Sequence, residues 1–307
     1  MKNIELYSDS RAAIRTTPGF YSGANELRTH FENKFKNPYQ ANHDRFCWDY
    51  WSIKNQYRLL RSPAEQFFPK TLFAPFLSRL LSYGRETLGC QMISHPWLSA
   101  YIDGSFQNLH SDVPHGPFSF VYSLTPWNRR KFTGGETLVA NPKLLRYFSE
   151  LKAGESHEEK NLLIRVPPVF NQLTLFDPRY PHGVARVDGV EDILQSRLVI
   201  HGWFTEPRPM LEGALSFKKI AKPLDQLAHS LMNALAPLPY SGLLSLKYEI
   251  LPTGKINSII VLSAHLVDGL GQVIPSPLLK SVLKQEPPRF PLARQKTWIT
   301  LPLEINA

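Results

Sequence analysis

The hydrophobic pattern divides the chain into an N-terminal helical part and a longer β-rich part. Apolar residues recur at steps of three and four from Leu72 to Leu81, which predicts an amphipathic helix. Ser62-Pro63-Ala64-Glu65 precedes this run and has the composition of a helix N-cap with a capping box. Pro69 and Pro75 predict that the helical part is broken into pieces.

From Pro96 onward the pattern changes to short β-prone runs separated by Gly, Pro, Asn and Asp. The predicted strands are Trp97–Ile102, Phe118–Leu124, Glu136–Val139, Leu162–Val166, Gln172–Phe176 and Arg197–Phe204. Because these runs are irregularly spaced and few helical patterns lie between them, they favour an antiparallel barrel or jelly roll over a parallel α/β sheet.

A second domain is predicted after the proline-bearing stretch at 206–209. It contains a helical run near 224–235, strands at 242–251 and 256–266, a helix at 277–284 and a last strand at 297–305. We therefore expect a domain over 1–206, made of a wrapping and helical part (1–95) and a β core (96–206). A small α+β module of unknown role follows over 210–307.

Composition narrows the class of protein. The 307 residues are 43% hydrophobic and 20% charged and include only 2 Cys, which fits a globular protein without a disulfide framework in a reducing compartment. With no secretory signal at its start and no apolar run of about 20 residues, we expect a cytoplasmic protein with no membrane segment. The net charge of +9 is spread along the chain without a block of five like charges, so nucleic acid is not the expected partner.

The first chemical signal is the pair His110 and Asp112. Residues i and i+2 of a strand point to the same face, so both side chains can bind one metal ion from a barrel interior. One imidazole and one carboxylate are two members of the facial triad that holds non-haem Fe(II). The third ligand would come from a distant strand, and His182, just past an apolar run, is a candidate. A hydrogen-bonded pair in a metal-free barrel is the alternative interpretation, with His115 as an alternative ligand.

Structural roles, not chemical ones, are expected for several other residues. His201 alternates with apolar residues on its strand, which favours a packed histidine. Gly134-Gly135 predicts a turn or bulge that needs positive φ, and aromatic packing is the default role for Trp127 and Trp203. The chain has no nucleophile elbow, P-loop, dinucleotide-binding glycine motif or paired-cysteine zinc motif.

The ordered set of motifs resembles the prolyl-hydroxylase-like family of Fe(II)/2-oxoglutarate dioxygenases. The motifs are His110-x-Asp112, Gly134-Gly135-Glu136, Asn171–Phe176, His182, and Arg197 with Gly202-Trp203-Phe204, and they cover roughly residues 90–206. The resemblance implies a mainly β fold with a double-stranded β-helix (jelly-roll) core. N-terminal helices would flank this core, and the small C-terminal α+β module would follow it.

The resemblance also implies roles for site residues. His110, Asp112 and His182 would bind Fe(II), Arg197 would bind the distal carboxylate of 2-oxoglutarate, and Tyr101 would hydrogen-bond this cosubstrate. O2 is the second cosubstrate, and ascorbate is an optional addition. The spacing from His182 to Arg197 is longer than the family's usual spacing, which leaves Arg186 as a rival for the cosubstrate carboxylate.

The expected activity is hydroxylation of an unactivated C–H bond in a protein side chain or small metabolite, with release of succinate and CO2. The alternatives are a non-catalytic jelly-roll binding protein and an AlkB-like nucleic-acid demethylase. Residues 1–58 and the loop 126–133 are expected at the substrate mouth. The C-terminal module faintly resembles the C-terminal domain of TonB-type proteins, and we expect it to serve docking or dimerisation, with a homodimer as the assembly.

Overall fold

The computed structural model describes residues 3–40, 46–112, 115–142, 144 and 162–306. The chain forms two compact units. The jelly-roll unit contains residues 14–81 and 93–205, and the C-terminal unit contains residues 1–13, 82–92 and 206–307. Two segments that the sequence analysis placed in the first domain, 1–13 and 82–92, thus belong to the C-terminal unit. β1 (Asn3–Leu6) pairs there with β16 (Ile256–Val267), and the Leu88 carbonyl accepts a hydrogen bond from the Ser245 hydroxyl.

The jelly-roll unit is built on eight successive strands. Their bounds are β6 (Trp97–Tyr101), β7 (Phe106–His110), β8 (Phe118–Ser123), β9 (Thr137–Ala140), β10 (Leu163–Val166), β11 (Gln172–Phe176), β12 (His182–Val184) and β13 (Arg197–Pro207). One half has the order β10-β9-β12-β7 and the other has the order β6-β13-β8-β11. All of these pairs are antiparallel. Successive strands alternate between the two halves except for β9 and β10, which are neighbours in one half, so the predicted jelly roll is confirmed.

Three further strands and three helices complete this part of the chain. The strands are β2 (Ile14–Pro18), β3 (Asp49–Ile53) and β4 (Tyr57–Pro63), and the helices are α1 (Ala24–Phe35), α2 (Ala64–Phe67) and α3 (Lys70–Tyr83). β4 pairs with both β6 and β7 and thereby joins the two halves, while β3 pairs with β4 and β2 pairs with β11. The short β5 (Cys90–Ile93) pairs with β13.

The helical part is divided into pieces as predicted, but its first helix does not begin as predicted. α2 and α3 are separate helices with Phe68 and Pro69 between them. The predicted capping box is wrong. Pro63, not Ser62, occupies the N-cap of α2, and no side chain caps it. Ser62 lies in β4 and pairs with Leu98 of β6, so its backbone is committed to the sheet.

The C-terminal unit is a five-stranded sheet of order β1-β16-β15-β17-β14 with two helices. The remaining bounds are β14 (Met210–Gly213), α4 (Phe217–Leu235), β15 (Ser241–Ile250), α5 (Ser276–Leu283) and β17 (Thr297–Ile305). β1 is parallel to β16, and the other pairs are antiparallel. α4 buries an apolar stripe at helical spacing, so hydrophobic burial holds it in this unit. The stripe consists of Ile220, Leu224, Leu227, Leu231 and Leu235.

Among the described residues, no helix combines the length and the apolar character that crossing a lipid bilayer requires.

Candidate metal centre

The side chains of His110, Asp112 and His182 converge at one point of the jelly-roll unit. Their ligand atoms all lie within 4.8 Å of one another. His110 ends β7 and pairs in register with His182 at the start of β12, which brings together two residues distant in sequence. Within the described part of the chain, this is the single group of three such side chains that can hold a metal ion.

Backbone carbonyls fix the orientation of both imidazoles. The Nδ1 atom of His110 lies 2.8 Å from the Asn108 carbonyl oxygen, and Nδ1 of His182 lies 2.9 Å from the Tyr180 carbonyl oxygen. A carbonyl only accepts, so each Nδ1 carries a proton, and each Nε2 is the ring nitrogen directed at the cluster. Metal-binding histidines are commonly held by such outer hydrogen bonds.

Asp112 is held between the histidines and an indole. Its Oδ2 atom lies 3.1 Å from Nε2 of His182 and accepts a 3.2 Å hydrogen bond from Nε1 of Trp203, while Oδ1 lies 3.6 Å from Nε2 of His110. Burial acts to raise the pKa of Asp112, but the hydrogen bond with His182, the charges of both histidines and the Trp203 N–H outweigh it. The pKa of Asp112 is therefore below that of an ordinary carboxyl, and the residue is a carboxylate at neutral pH.

Arg197 lies at the start of β13 and is only 1% exposed. Its Nε donates to the Gly135 carbonyl at 2.6 Å and its Nη2 donates to the Thr137 hydroxyl at 3.1 Å. Its Nη1 is buried and has no hydrogen-bond partner among the described residues. A buried donor without a partner costs free energy, so this atom is one that a ligand in the cavity would satisfy.

The predicted turn Gly134-Gly135 supports this arginine. Both glycines have positive φ, 72° and 81°, as expected for the turn. A Cβ on Gly135 would lie 2.9 Å from the Phe132 ring and 3.3 Å from Cδ of Arg197, so a larger residue would crowd the arginine. The turn thus places the Gly135 carbonyl against the guanidinium, a role that its conformation alone did not predict.

Tyr101 is paired in register with Arg197, and the guanidinium carbon lies 4.5 Å from the centre of its ring. The Tyr101 hydroxyl donates to Gln107 Oε1 at 2.8 Å. Burial raises the pKa of Tyr101, while the positive charge of Arg197 partly offsets that effect, so the phenol is protonated at neutral pH.

All five predicted site residues line one cavity of about 400 Å³. Because successive strand residues alternate in direction, β13 contributes Arg197, Val199, His201 and Trp203 to it. Aromatic side chains make up much of the remaining wall. They are Trp51, Tyr57, Trp97, His115, Phe120 and Phe176. The cavity therefore has a polar triad and a buried cation within mostly apolar walls, which is typical of small-molecule sites.

The structure also places three residues whose roles the sequence left open or assigned to packing: Arg186, His115 and His201. Arg186 does not line the cavity; its side chain is 54% exposed and its Nε donates to Asp188 at 2.6 Å. His115 lies in the cavity wall, where its ring stacks on Trp203, outside the ligand cluster. The histidine expected to be packed, His201, lines the cavity, and its Nε2 lies 2.8 Å from the Ser99 hydroxyl.

Two expectations about the cavity mouth have different outcomes. From residues 1–58, Trp51 and Tyr57 line the cavity. The loop 126–133 does not line it. Trp127 is buried edge-on to Phe132 and under Arg130, in the hydrophobic cluster that lies behind the cavity residue Tyr101. Sequence reasoning missed Arg61, Trp97 and Gln107, which line the cavity from β4, β6 and β7 and share no motif in the sequence.

Comparisons with known proteins give structural matches only. No protein-family model and no curated sequence matches the chain. Among solved structures, it is similar to a Pseudomonas putida prolyl-4-hydroxylase (15% identity, TM-score 0.44, covering 64% of this chain and 95% of that chain). It is also similar to a Trichoplax adhaerens prolyl hydroxylase in complex with a hypoxia-inducible factor peptide (18% identity, TM-score 0.41, covering 63% and 83%). A third is HygX from Streptomyces hygroscopicus with nickel and 2-oxoglutarate bound (16% identity, TM-score 0.42, covering 63% and 83%). The function is therefore inferred from the chain's own side chains.

Proposed function

We propose that this chain is an Fe(II)- and 2-oxoglutarate-dependent oxygenase that hydroxylates an unactivated C–H bond. The observation that carries the proposal is a single cavity lined by both the His110–Asp112–His182 cluster and the buried guanidinium of Arg197. The substrate is a protein side chain or a small metabolite, and succinate and CO2 are the coproducts.

The donor set fits Fe(II). Two imidazole nitrogens and one carboxylate are the facial triad of non-haem Fe(II) oxygenases, which leaves coordination positions open for other ligands. The two Nδ1–carbonyl hydrogen bonds keep both Nε2 atoms directed at the ligand cluster. Trp203 holds the carboxylate of Asp112, so all three ligands are oriented before any metal binds.

The surroundings of Arg197 fit the distal carboxylate of 2-oxoglutarate. Its Nη1 has no partner among the described residues, and the other two nitrogens are fixed by Gly135 and Thr137. An arginine held in this way binds a carboxylate with little loss of conformational entropy. In this proposal Tyr101 packs against the guanidinium, and its hydroxyl, now bonded to Gln107, faces the cosubstrate.

When bound, Fe(II) would supply the oxidative decarboxylation of 2-oxoglutarate by O2 and the coupled hydroxylation of the substrate. The chain itself positions and shields the reactants. Phe176 packs on the ring of His182 at 4.7 Å, and Tyr57 lies edge-on to His110 at 6.1 Å, so apolar groups cover the sides of the ligand rings. The same walls restrict water in the cavity and select the substrate.

Anaerobic addition of Fe(II) and 2-oxoglutarate tests the proposal. We expect a visible charge-transfer band in the unmodified protein, its loss in His110→Ala, and succinate formation after admission of air. His95→Ala is the matched control, since the His95 side chain is 88% exposed and lies outside the cavity. A protein that gives neither band nor succinate is not an oxygenase, and a jelly-roll binding protein is then the better interpretation.

The C-terminal unit has no part in this proposal, because every residue that lines the cavity belongs to the jelly-roll unit. We keep docking or dimerisation as its proposed role.

A further inference from the structure

Arg61 is a second arginine in the wall of the same cavity, and it lies between two indole rings. Its guanidinium carbon is 3.6 Å from the centre of the Trp51 ring and 4.2 Å from that of the Trp97 ring. The residue belongs to β4 and pairs with Ser99 of β6 and Asp49 of β3, so sheet register fixes its position. With an indole at short distance on two sides, the guanidinium is held in place by cation–π contacts.

The hydrogen-bonding edge of Arg61 is largely unused. Its Nε lies 3.5 Å from Oδ2 of Asp49, whose side chain is 55% exposed, and this is its one ion pair among the described residues. An exposed pair at this distance contributes little free energy. The two terminal nitrogens make no hydrogen bond with any described residue. Indole rings cannot satisfy these donors, so the edge is available to a ligand in the cavity.

We infer that the cavity takes a substrate that carries a carboxylate, which the terminal nitrogens of Arg61 bind. This inference rests on the proposed function, because it names the substrate class of the same cavity. A planar guanidinium with a free edge matches a carboxylate through two parallel hydrogen bonds. Asp49 offsets part of the charge of Arg61, which favours a singly charged carboxylate over a doubly charged phosphate.

The walls define the rest of the substrate. Trp51, Trp97 and Tyr57 lie near Arg61 along β3, β4 and β6, so the group next to the carboxylate is apolar or aromatic. The cavity measures about 400 Å³ and must also hold 2-oxoglutarate, so the part of the substrate that enters it is small. Arg61 is distinct from the proposed cosubstrate residue, because Arg197 is almost fully buried and bonded to other strands.

The cavity has one more polar group without a partner. The hydroxyl of Ser119 is buried and makes no hydrogen bond among the described residues, and Ser119 pairs in register with Trp203 next to the metal ligands. It is placed to hydrogen-bond a polar atom of the substrate close to the reacting end. A substrate whose carboxylate is bound at Arg61 would then have a second contact at Ser119, and two contacts fix its orientation.

Matched acid and amide probes test the inference. The protein is saturated with 2-oxoglutarate and Fe(II) without oxygen, and phenylacetate, phenylacetamide, indole-3-acetate and indole-3-acetamide are titrated by tryptophan fluorescence. A capped glutamyl dipeptide forms a further arm, which distinguishes a peptide carboxylate from a free acid. We expect each acid to bind at least about tenfold more tightly than its amide, because hydrogen bonds to charged groups contribute about 1.5–3 kcal/mol.

Arg61→Gln should reduce acid binding about 10- to 100-fold and leave amide binding unchanged. Arg61→Lys should retain part of the preference for the acid over the amide, because lysine keeps the positive charge. Arg58→Gln is the matched control, because Arg58 lies on the same strand but does not line the cavity. The inference is overturned if acids and amides bind equally, or if Arg61→Gln weakens 2-oxoglutarate instead of the probes. The charge-transfer band reports the proposed function separately, so a normal band without acid preference rejects the substrate class alone.

Discussion

Strands β13 and β15 are similar in length, 11 and 10 residues, but their inward-facing residues differ. β13 directs Arg197, His201 and Trp203 into a cavity. β15 directs Leu244, Leu246, Tyr248 and Ile250 into a closed apolar core. The first pattern leaves polar atoms to be satisfied by ligands, whereas the second buries apolar area and gains stability. The comparison indicates that β15 contributes to stability through its buried apolar side chains, whereas β13 presents polar atoms to the cavity.

The largest expected effect concerns the closed core. Leu244→Ala removes a fully buried side chain of the C-terminal unit and should cost about 2–5 kcal/mol of unfolding free energy. Hydrogen exchange of β15 and β17 measures this, and Met232→Ala on an exposed position of α4 is the control. The affinity of the folded protein for 2-oxoglutarate should not change. A large change in that affinity would mean that the two units are not functionally separate.

The next prediction sharpens the role of the cavity. Arg197→Gln should raise the KM for 2-oxoglutarate about 10- to 100-fold, because it removes a charge-assisted hydrogen bond. Arg186→Gln, the exposed rival, should have no effect. Initial rates of succinate formation over a range of 2-oxoglutarate concentrations provide the measurement. If the effects of the two substitutions are reversed, Arg186 is the cosubstrate residue.

A smaller effect is expected from the group that holds the carboxylate ligand. Trp203→Phe keeps an aromatic ring but removes the N–H that donates to Asp112. Metal affinity should fall about tenfold, since outer hydrogen bonds contribute about 10- to 100-fold. Metal titration followed by the charge-transfer band measures it, with Trp298→Phe in the C-terminal unit as control. Unchanged affinity would show that Trp203 only packs.

The smallest effect is a dependence of stability on pH. Burial, and next the charge of Arg197, lower the pKa of His201 from 6.5 to about 4, while Asp112 opposes this and Arg61 and His110 add to it. As pH falls, His201 takes up a proton in the unfolded state at a higher pH than in the folded state. The contribution of neutral His201 to the unfolding free energy is therefore complete above pH 6.5 and is lost as pH falls toward 4. His201→Gln should reduce the change of unfolding free energy with pH between 6.5 and 4, measured by denaturant unfolding. An unchanged pH dependence would contradict the prediction.

The sequence predicted the apolar strands well and the ligand-bearing strands poorly. Gln172–Phe176 and Thr297–Ile305 have the predicted bounds, because each is a continuous apolar or β-branched run. β7 and β12 were not predicted. β7 contains Gln107, Asn108 and His110, and its side chains are only partly buried, so it lacks the alternation that marks a strand. The polar residues around His110 thus remove from β7 the hydrophobic pattern by which strands are recognised.

The convergence of His110, Asp112 and His182 was predictable from spacing and family resemblance, whereas contacts made only where distant strands meet were not. His110 and Asp112 were found because they are two residues apart. Arg61 was missed because its neighbours Trp51 and Trp97 come from two other strands. Only the register of β3, β4 and β6 brings these three residues together, and register between distant strands is set by tertiary packing.

The pairing of β1 with β16 has a consequence for synthesis of the chain on the ribosome. Asn3–Leu6 is separated from its partners at Ser258–Val261 by the whole of the jelly-roll unit, so it is synthesised well before them. The edge strand β1 therefore remains unpaired while the residues of the jelly-roll unit are synthesised. Closing so long a loop is slow compared with local folding. The sheet of the C-terminal unit is therefore complete only when β16 has been synthesised and has paired with β1.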